Sequence, residues 1–97
     1  MPIVTVKNGR AELRNDRGTL VRTIGTNVID ADVSDECLVI VTAKGTAELR
    51  SATGTPIRVL VPRDCVGCSV SGGNIVLKMA NGRSQLRSSK GTLMRTF

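Results

Sequence analysis

The sequence predicts an all-β chain, an antiparallel meander of about 11 short strands arranged as three repeats of about 36 residues. Three observations lead there. Segments 7–24 (KNGRAELRNDRGTLVRTI), 43–60 (AKGTAELRSATGTPIRVL) and 80–97 (ANGRSQLRSSKGTLMRTF) follow one pattern. Glycines punctuate each copy at fixed places, Gly9, Gly45 and Gly82, then Gly18, Gly54 and Gly91 nine residues further on. The runs between them are short and rich in branched residues, which suits strands rather than helices.

The elements follow in order. Residues 28–45 align without a gap to 65–82, while 2–9 matches only the second half of that stretch. The chain therefore reads as one domain over 1–97, with repeats 1–24 (lacking its first strand), 25–60 and 61–97. A full repeat holds strands at 28–34, 37–43, 46–51 and 55–60. Asn8-Gly9, Lys44-Gly45 and Asn81-Gly82 are predicted to form two-residue type I′ hairpins, which need positive φ at both central residues. Gly18, Gly54 and Gly91 close four-residue turns such as 15–18, and a third break falls at 34–36 and 71–73.

Alternation assigns faces. In the first strand Ile29, Ala31 and Val33 share an apolar face, and Asp30, Asp32 and Ser34 a polar one. Residues 37–41 (CLVIV) are apolar on both sides, as in a strand covered by sheets on either face. The third strand, 47–50 (AELR), is half-buried again, and the fourth is mixed.

This succession of a half-buried strand, a doubly buried one and two more polar ones resembles a β-propeller blade, whose four strands run from a central channel to the rim. The resemblance covers nearly the whole chain and rests on the 37–41 run, the hairpin glycines, the x-Leu-Arg of strand three and the Gly-Thr-x-x-Arg of strand four. The chain has no Trp-Asp pair, no Trp and no His, so it is not similar to WD40 blades in detail. The resemblance implies a ring of 4–8 blades, which three blades do not fill. Two chains would supply six, so a homodimer with a shared ring is expected, with the first blade short of its innermost strand. The main alternative is a β-trefoil, closed within one chain; an open meander leaves edge strands to aggregate.

Composition agrees with association. A 97-residue chain with 40% hydrophobic residues and one aromatic, Phe97, has little core to draw on. Met1 to Val6 resembles no export leader, no run approaches the roughly 20 apolar residues of a membrane span, and three cysteines is an odd count. The expectation is a cytoplasmic chain with no membrane association.

Fourteen Lys and Arg against eight Asp and Glu give +6. By side chains, residues 1–24 carry +3, 25–60 carry −2 and 61–97 carry +5. Arg14, Arg50 and Arg87 on strand three, and Arg22, Arg58 and Arg95 on strand four, recur in every repeat. Such an array is the candidate for binding a polyanion or nucleic acid. The competing reading is structural: Glu12, Glu48 and Gln85 stand two residues before the strand-three arginines, and Leu20 and Ile24 flank the stem of Arg22. Asp30 and Asp32 would line a channel and attract a cation, or form a solvated strand face.

Cys65 and Cys68 have the spacing of half a zinc knuckle, but only Cys37 remains to help and a structural site needs four ligands. On a regular strand, residues three apart point to opposite faces, so the cysteines read as buried small hydrophobes without metal or disulfide. Without histidine or a recognisable nucleophile motif, catalysis and cofactors are not expected. The expected function is a non-enzymatic interaction, scaffold or ligand-binding ring; the alternatives are polyanion binding and a lectin-like ring, the latter without the Trp or Tyr that would stack a sugar.

Overall fold

The structure is a computed structural model that describes residues 2–97. Eleven strands and, among the described residues, no helix make up the chain: β1 (Ile3–Lys7), β2 (Arg10–Arg14), β3 (Leu20–Gly25), β4 (Val28–Val33), β5 (Leu38–Thr42), β6 (Ala47–Arg50), β7 (Pro56–Val61), β8 (Cys65–Ser71), β9 (Asn74–Met79), β10 (Ser84–Ser88) and β11 (Leu93–Thr96). They form three antiparallel sheets in chain order: β1-β2-β3, β4-β5-β6-β7 and β8-β9-β10-β11. Each sheet is one repeat. Among the described residues the first has three strands, with no counterpart of β4 and β8.

The sheets stack face against face. Leu38 and Ile40 of β5 pack with Ala11, Leu13 and Ile24 of the first sheet, while Val39 and Val41 pack with Cys68, Val70, Ile75 and Leu77 of the third. The doubly apolar β5 is thus buried on both sides, at 0–3% exposure. The stack is an arc of 36 × 26 × 19 Å and not a closed ring. A trefoil is excluded, because its units would share one barrel instead of forming three separate stacked sheets.

Three local expectations need correction. Only Asn8-Gly9 makes the two-residue hairpin, with φ of 54° and 76°. At the other two sites the loop is one residue longer: Gly45 N–H donates to Thr42 O and Gly82 N–H to Met79 O, with positive φ at the glycine alone. The loop is a tight turn followed by a left-handed glycine, so β1 is offset by one residue from the gap-free alignment, and Val4 rather than Ile3 matches Val39. Second, β4 and β8 each carry a bulge, between Val28 and Asp30 and between Cys65 and Gly67. The bulge turns Val28 inward at 2% exposure and Ile29 outward at 49%. Third, the same bulge puts Cys65 and Cys68 on one face, both inside the core between the second and third sheets, still as free thiols.

Asp30 and Asp32 neither line an open channel nor form a merely solvated face. Asp30 Oδ1 accepts the N–H of Ala31 and its Oδ2 that of Cys68; Asp32 accepts from Val33 and Val70 in the same way, at 2.7–3.0 Å. Each carboxylate therefore bridges the innermost strands of two sheets, satisfying amides that have no strand beyond them. Ser34 adds a bond from its hydroxyl to Gly72 O. Asn27 (φ 55°) and Asp64 (φ 68°) turn the chain into β4 and β8, and their carbonyls accept from Ala43 and Ala80. A Cβ on Gly45 would lie 2.5 Å from Asp64 N, so this close approach requires glycine.

Asp32→Ala leaves the Val33 and Val70 amides without their carboxylate acceptor. It is expected to lower stability in urea by about 1–3 kcal/mol and to speed amide exchange at Val70 more than at Val41, which stays in its ladder.

Candidate functional site

The six repeated arginines divide into two structural classes. Arg14, Arg50 and Arg87 each turn back to close the loop that follows their strand, donating from Nη1 to the carbonyl of Gly18, Gly54 and Gly91 at 2.8 Å in every repeat. The rest of the guanidinium meets the residue two positions earlier. Arg14 Nη2 lies 3.0 Å from Glu12, Arg50 Nε 2.6 Å from Glu48, and Arg87 donates twice to Gln85 Oε1. Residues two apart on a strand share a face, which is why this pairing was legible in the x-Glu-x-Arg spacing.

The outer-strand arginines reach the next sheet. A Cβ on Gly54 would fall 2.8 Å from Ile24 and 3.5 Å from Arg22 Cδ; on Gly91 it would fall 2.7 Å from Leu60 and 3.3 Å from Arg58 Cδ. Arg22 and Arg58 therefore lay their stems over the glycine turn of the following sheet, each beside a buried aliphatic residue. Leu20, expected to flank that stem, is 47% exposed instead. Arg58 also stands beside Arg87, whose ionisation is pushed below its ordinary value by burial first and by this neighbouring cation second. Arg95, their counterpart in the last sheet, is exposed.

The two ends of the arc are the halves of this contact that nothing fills. Phe97 is 61% exposed where Ile24 and Leu60 are at 5% and 7%. The Cβ position of Gly18 has nothing within 4 Å, where Gly54 and Gly91 are covered. Ile3 is 42% exposed where its structural counterpart Leu38 is fully buried. The same applies to the backbone. Gly9 O accepts from Val28 N–H and Gly45 O from Cys65 N–H, but Gly82 O receives no such bond among the described residues. The sequence carried a signal for this surface in its one aromatic residue, placed where the other repeats have Ile and Leu.

The three cysteines are buried free thiols. Burial raises the thiols of Cys37, Cys65 and Cys68 above their ordinary value of 9.0, with nearby carboxylates adding to the effect. Cys65 and Cys68 donate weakly to Gly67 O and Val39 O. Among the described residues no three of His, Cys, Asp and Glu are grouped to hold a metal ion. Among the described residues no helix is long and apolar enough to cross a membrane.

Comparison with known proteins gives the same architecture. The chain is similar to the WD40 beta propeller domain of Doa1, at TM-score 0.74 and 19% identity over 99% of its length. It is also similar to the computationally designed Ika8 protein, at TM-score 0.69 and 19% identity over 98%. It spans only 36% and 35% of those structures. No family model and no curated protein sequence matches the chain. At this identity the likeness shows the fold, and it shows that the fold is reached without the Trp-Asp signature.

Two outcomes follow from the site's chemistry. Arg50→Ala frees the Gly54 carbonyl and strands Glu48, so a loss of about 1.5–3 kcal/mol is expected by urea denaturation. The buried thiols keep their protons in the folded state while the unfolded chain releases them. Their contribution is therefore present below the ordinary thiol value of 9.0 and declines above it, for the deeply buried Cys68 by about 1.4 kcal/mol per pH unit. Cys68→Ala should make that decline shallower by one thiol's share in stability curves taken from pH 7 upward.

Proposed function

We propose that the chain is a non-enzymatic scaffold whose three-bladed arc joins a second copy head to tail, each last blade covering the first blade of its partner, to make a six-bladed ring. One observation carries the reading. The blade-to-blade contact occurs twice within the chain, and the arc ends expose its two complementary halves, Phe97 with Arg95 on one and Gly18 with Ile3 on the other. A head-to-tail contact either closes or propagates as a filament, and six blades fall within the range in which propellers close.

A role in holding partners fits a chain in which all three strand-three arginines are engaged internally. This weighs against a polyanion array, since phosphate contacts need free guanidinium groups. The reduced, buried cysteines suit a reducing compartment, and the cytoplasm is the reading we adopt.

Sedimentation equilibrium over a range of concentrations tests the assembly. The wild-type chain is expected to fit twice 10.3 kDa, and Phe97→Asp, which buries a charge at the junction, to revert to 10.3 kDa with unchanged circular dichroism. A wild-type chain that stays at the single mass throughout overturns the proposal.

A further inference from the structure

The contact between one blade's outer strand and the next blade's glycine turn is built twice, and the two copies differ in charge. In the first, Arg22 lies over Gly54, the Gly54 carbonyl accepts from Arg50, and Glu48 neutralises Arg50. In the second, Arg58 lies over Gly91, the Gly91 carbonyl accepts from Arg87, and Gln85 stands where the first has Glu48. The Gln85 carboxamide oxygen accepts two bonds from Arg87, at 2.9 and 3.1 Å, but brings no charge. This happens where compensation matters most. Arg87 is buried, at 9% exposure, whereas Arg14 and Arg50, which have their carboxylates, are half-buried. A charge withdrawn from water is costly unless an opposite charge accompanies it. Among the described residues no carboxylate pairs with Arg58 or Arg87, and the one acid of the third repeat, Asp64, stands beside Arg63 instead. Burial and then the neighbouring Arg58 both act against the charged form of Arg87.

We propose that Arg58 and Arg87 together bind a phosphate-class oxyanion between the second and third blades, which supplies to this contact the negative charge that Glu48 supplies to the other. The donors are available. A guanidinium carries five N–H groups; Arg87 spends three of them, on Gln85 and Gly91, and Arg58 spends none on the described residues. Planar pairs of N–H groups match the oxygens of a phosphate. The absence of a Cβ on Gly91 lets the two side chains share that turn, since a Cβ would stand 3.3 Å from Arg58 Cδ. The site lies within one copy and does not rest on the ring. It is also a single site and not a threefold array, because Glu12 and Glu48 cancel the charge of Arg14 and Arg50.

Nitrogen-15 NMR of the arginine Nε–H groups tests this on the whole chain, with ionic strength held constant by sodium chloride. Inorganic phosphate and a phosphoserine residue capped at both ends are titrated in parallel, and the tighter of the two tells a free anion from a phosphorylated chain. Saturable shifts are expected at Arg58 and Arg87. Gln85→Glu gives the third repeat the carboxylate of the other two and is expected to weaken binding at least about tenfold, because a fixed negative charge then competes for the same cations. The reciprocal Glu48→Gln is expected to bring saturable shifts to Arg22 and Arg50. Failure of either variant to move binding in its direction overturns the proposal. So do wild-type shifts that stay linear in anion or spread equally over all the arginines.

Discussion

A sheet whose second strand is apolar on both faces has to be covered on both faces. That requirement governs the molecule. Leu38 and Ile40 are buried against the first sheet and Val39 and Val41 against the third, and no rotation of the strand would leave either pair in water at tolerable cost, each such side chain contributing about 1.5–3 kcal/mol on burial. The middle blade meets the requirement from both neighbours. The outer blades meet it on one side only, and their sequences show how the exposed side is handled: Lys78 stands in β9 where β5 has Val41, and Thr5 in β1 where β5 has Ile40. The ends are thus partly polar but keep Ile3 and Phe97, a combination suited to a contact that forms after the chain has folded.

Side-chain packing alone would let neighbouring sheets slide. The carboxylates of Asp30 and Asp32 remove that freedom, because each holds one amide of its own strand and one of the adjacent blade. Hydrogen bonds to a charged acceptor are stronger and shorter than neutral ones, and here they satisfy strand-edge amides that have no further strand beside them. At the rim the arginine closures act within a blade, tying each strand-three side chain to the loop after its own strand; in the second and third blades that loop is covered by the preceding blade. The inner carboxylates therefore fix the second blade against the third, and the guanidinium groups fix the shape of the outer loops on which blades pack.

Much of this was legible in the sequence, and the failures have local causes. Repetition located the turns, so the expected strand ends lie within a residue of those in the middle sheet. Alternation failed at Ile29 because it assumes an unbroken period of two, and a bulge shifts that period by one residue without any glycine at Val28 or Ile29 to announce it. The same bulge brought Cys65 and Cys68 to one face. The hairpin at Lys44-Gly45 was misread because a left-handed glycine serves two turn types that differ by one residue in length. The bridging of Asp30 and Asp32 was out of reach, since it joins residues 38 apart and depends on blade spacing that no local pattern encodes.

The central claim is that the packing seen between blades also joins one copy to the next. Isotope-filtered NMR on a mixture of labelled and unlabelled chains addresses it at a single contact. The account predicts intermolecular Overhauser effects between the Phe97 ring and the α-protons of Gly18, the counterpart of the Ile24–Gly54 contact inside the chain. Intermolecular effects that link Phe97 to Phe97, or none at concentrations where the chain is associated, would contradict it.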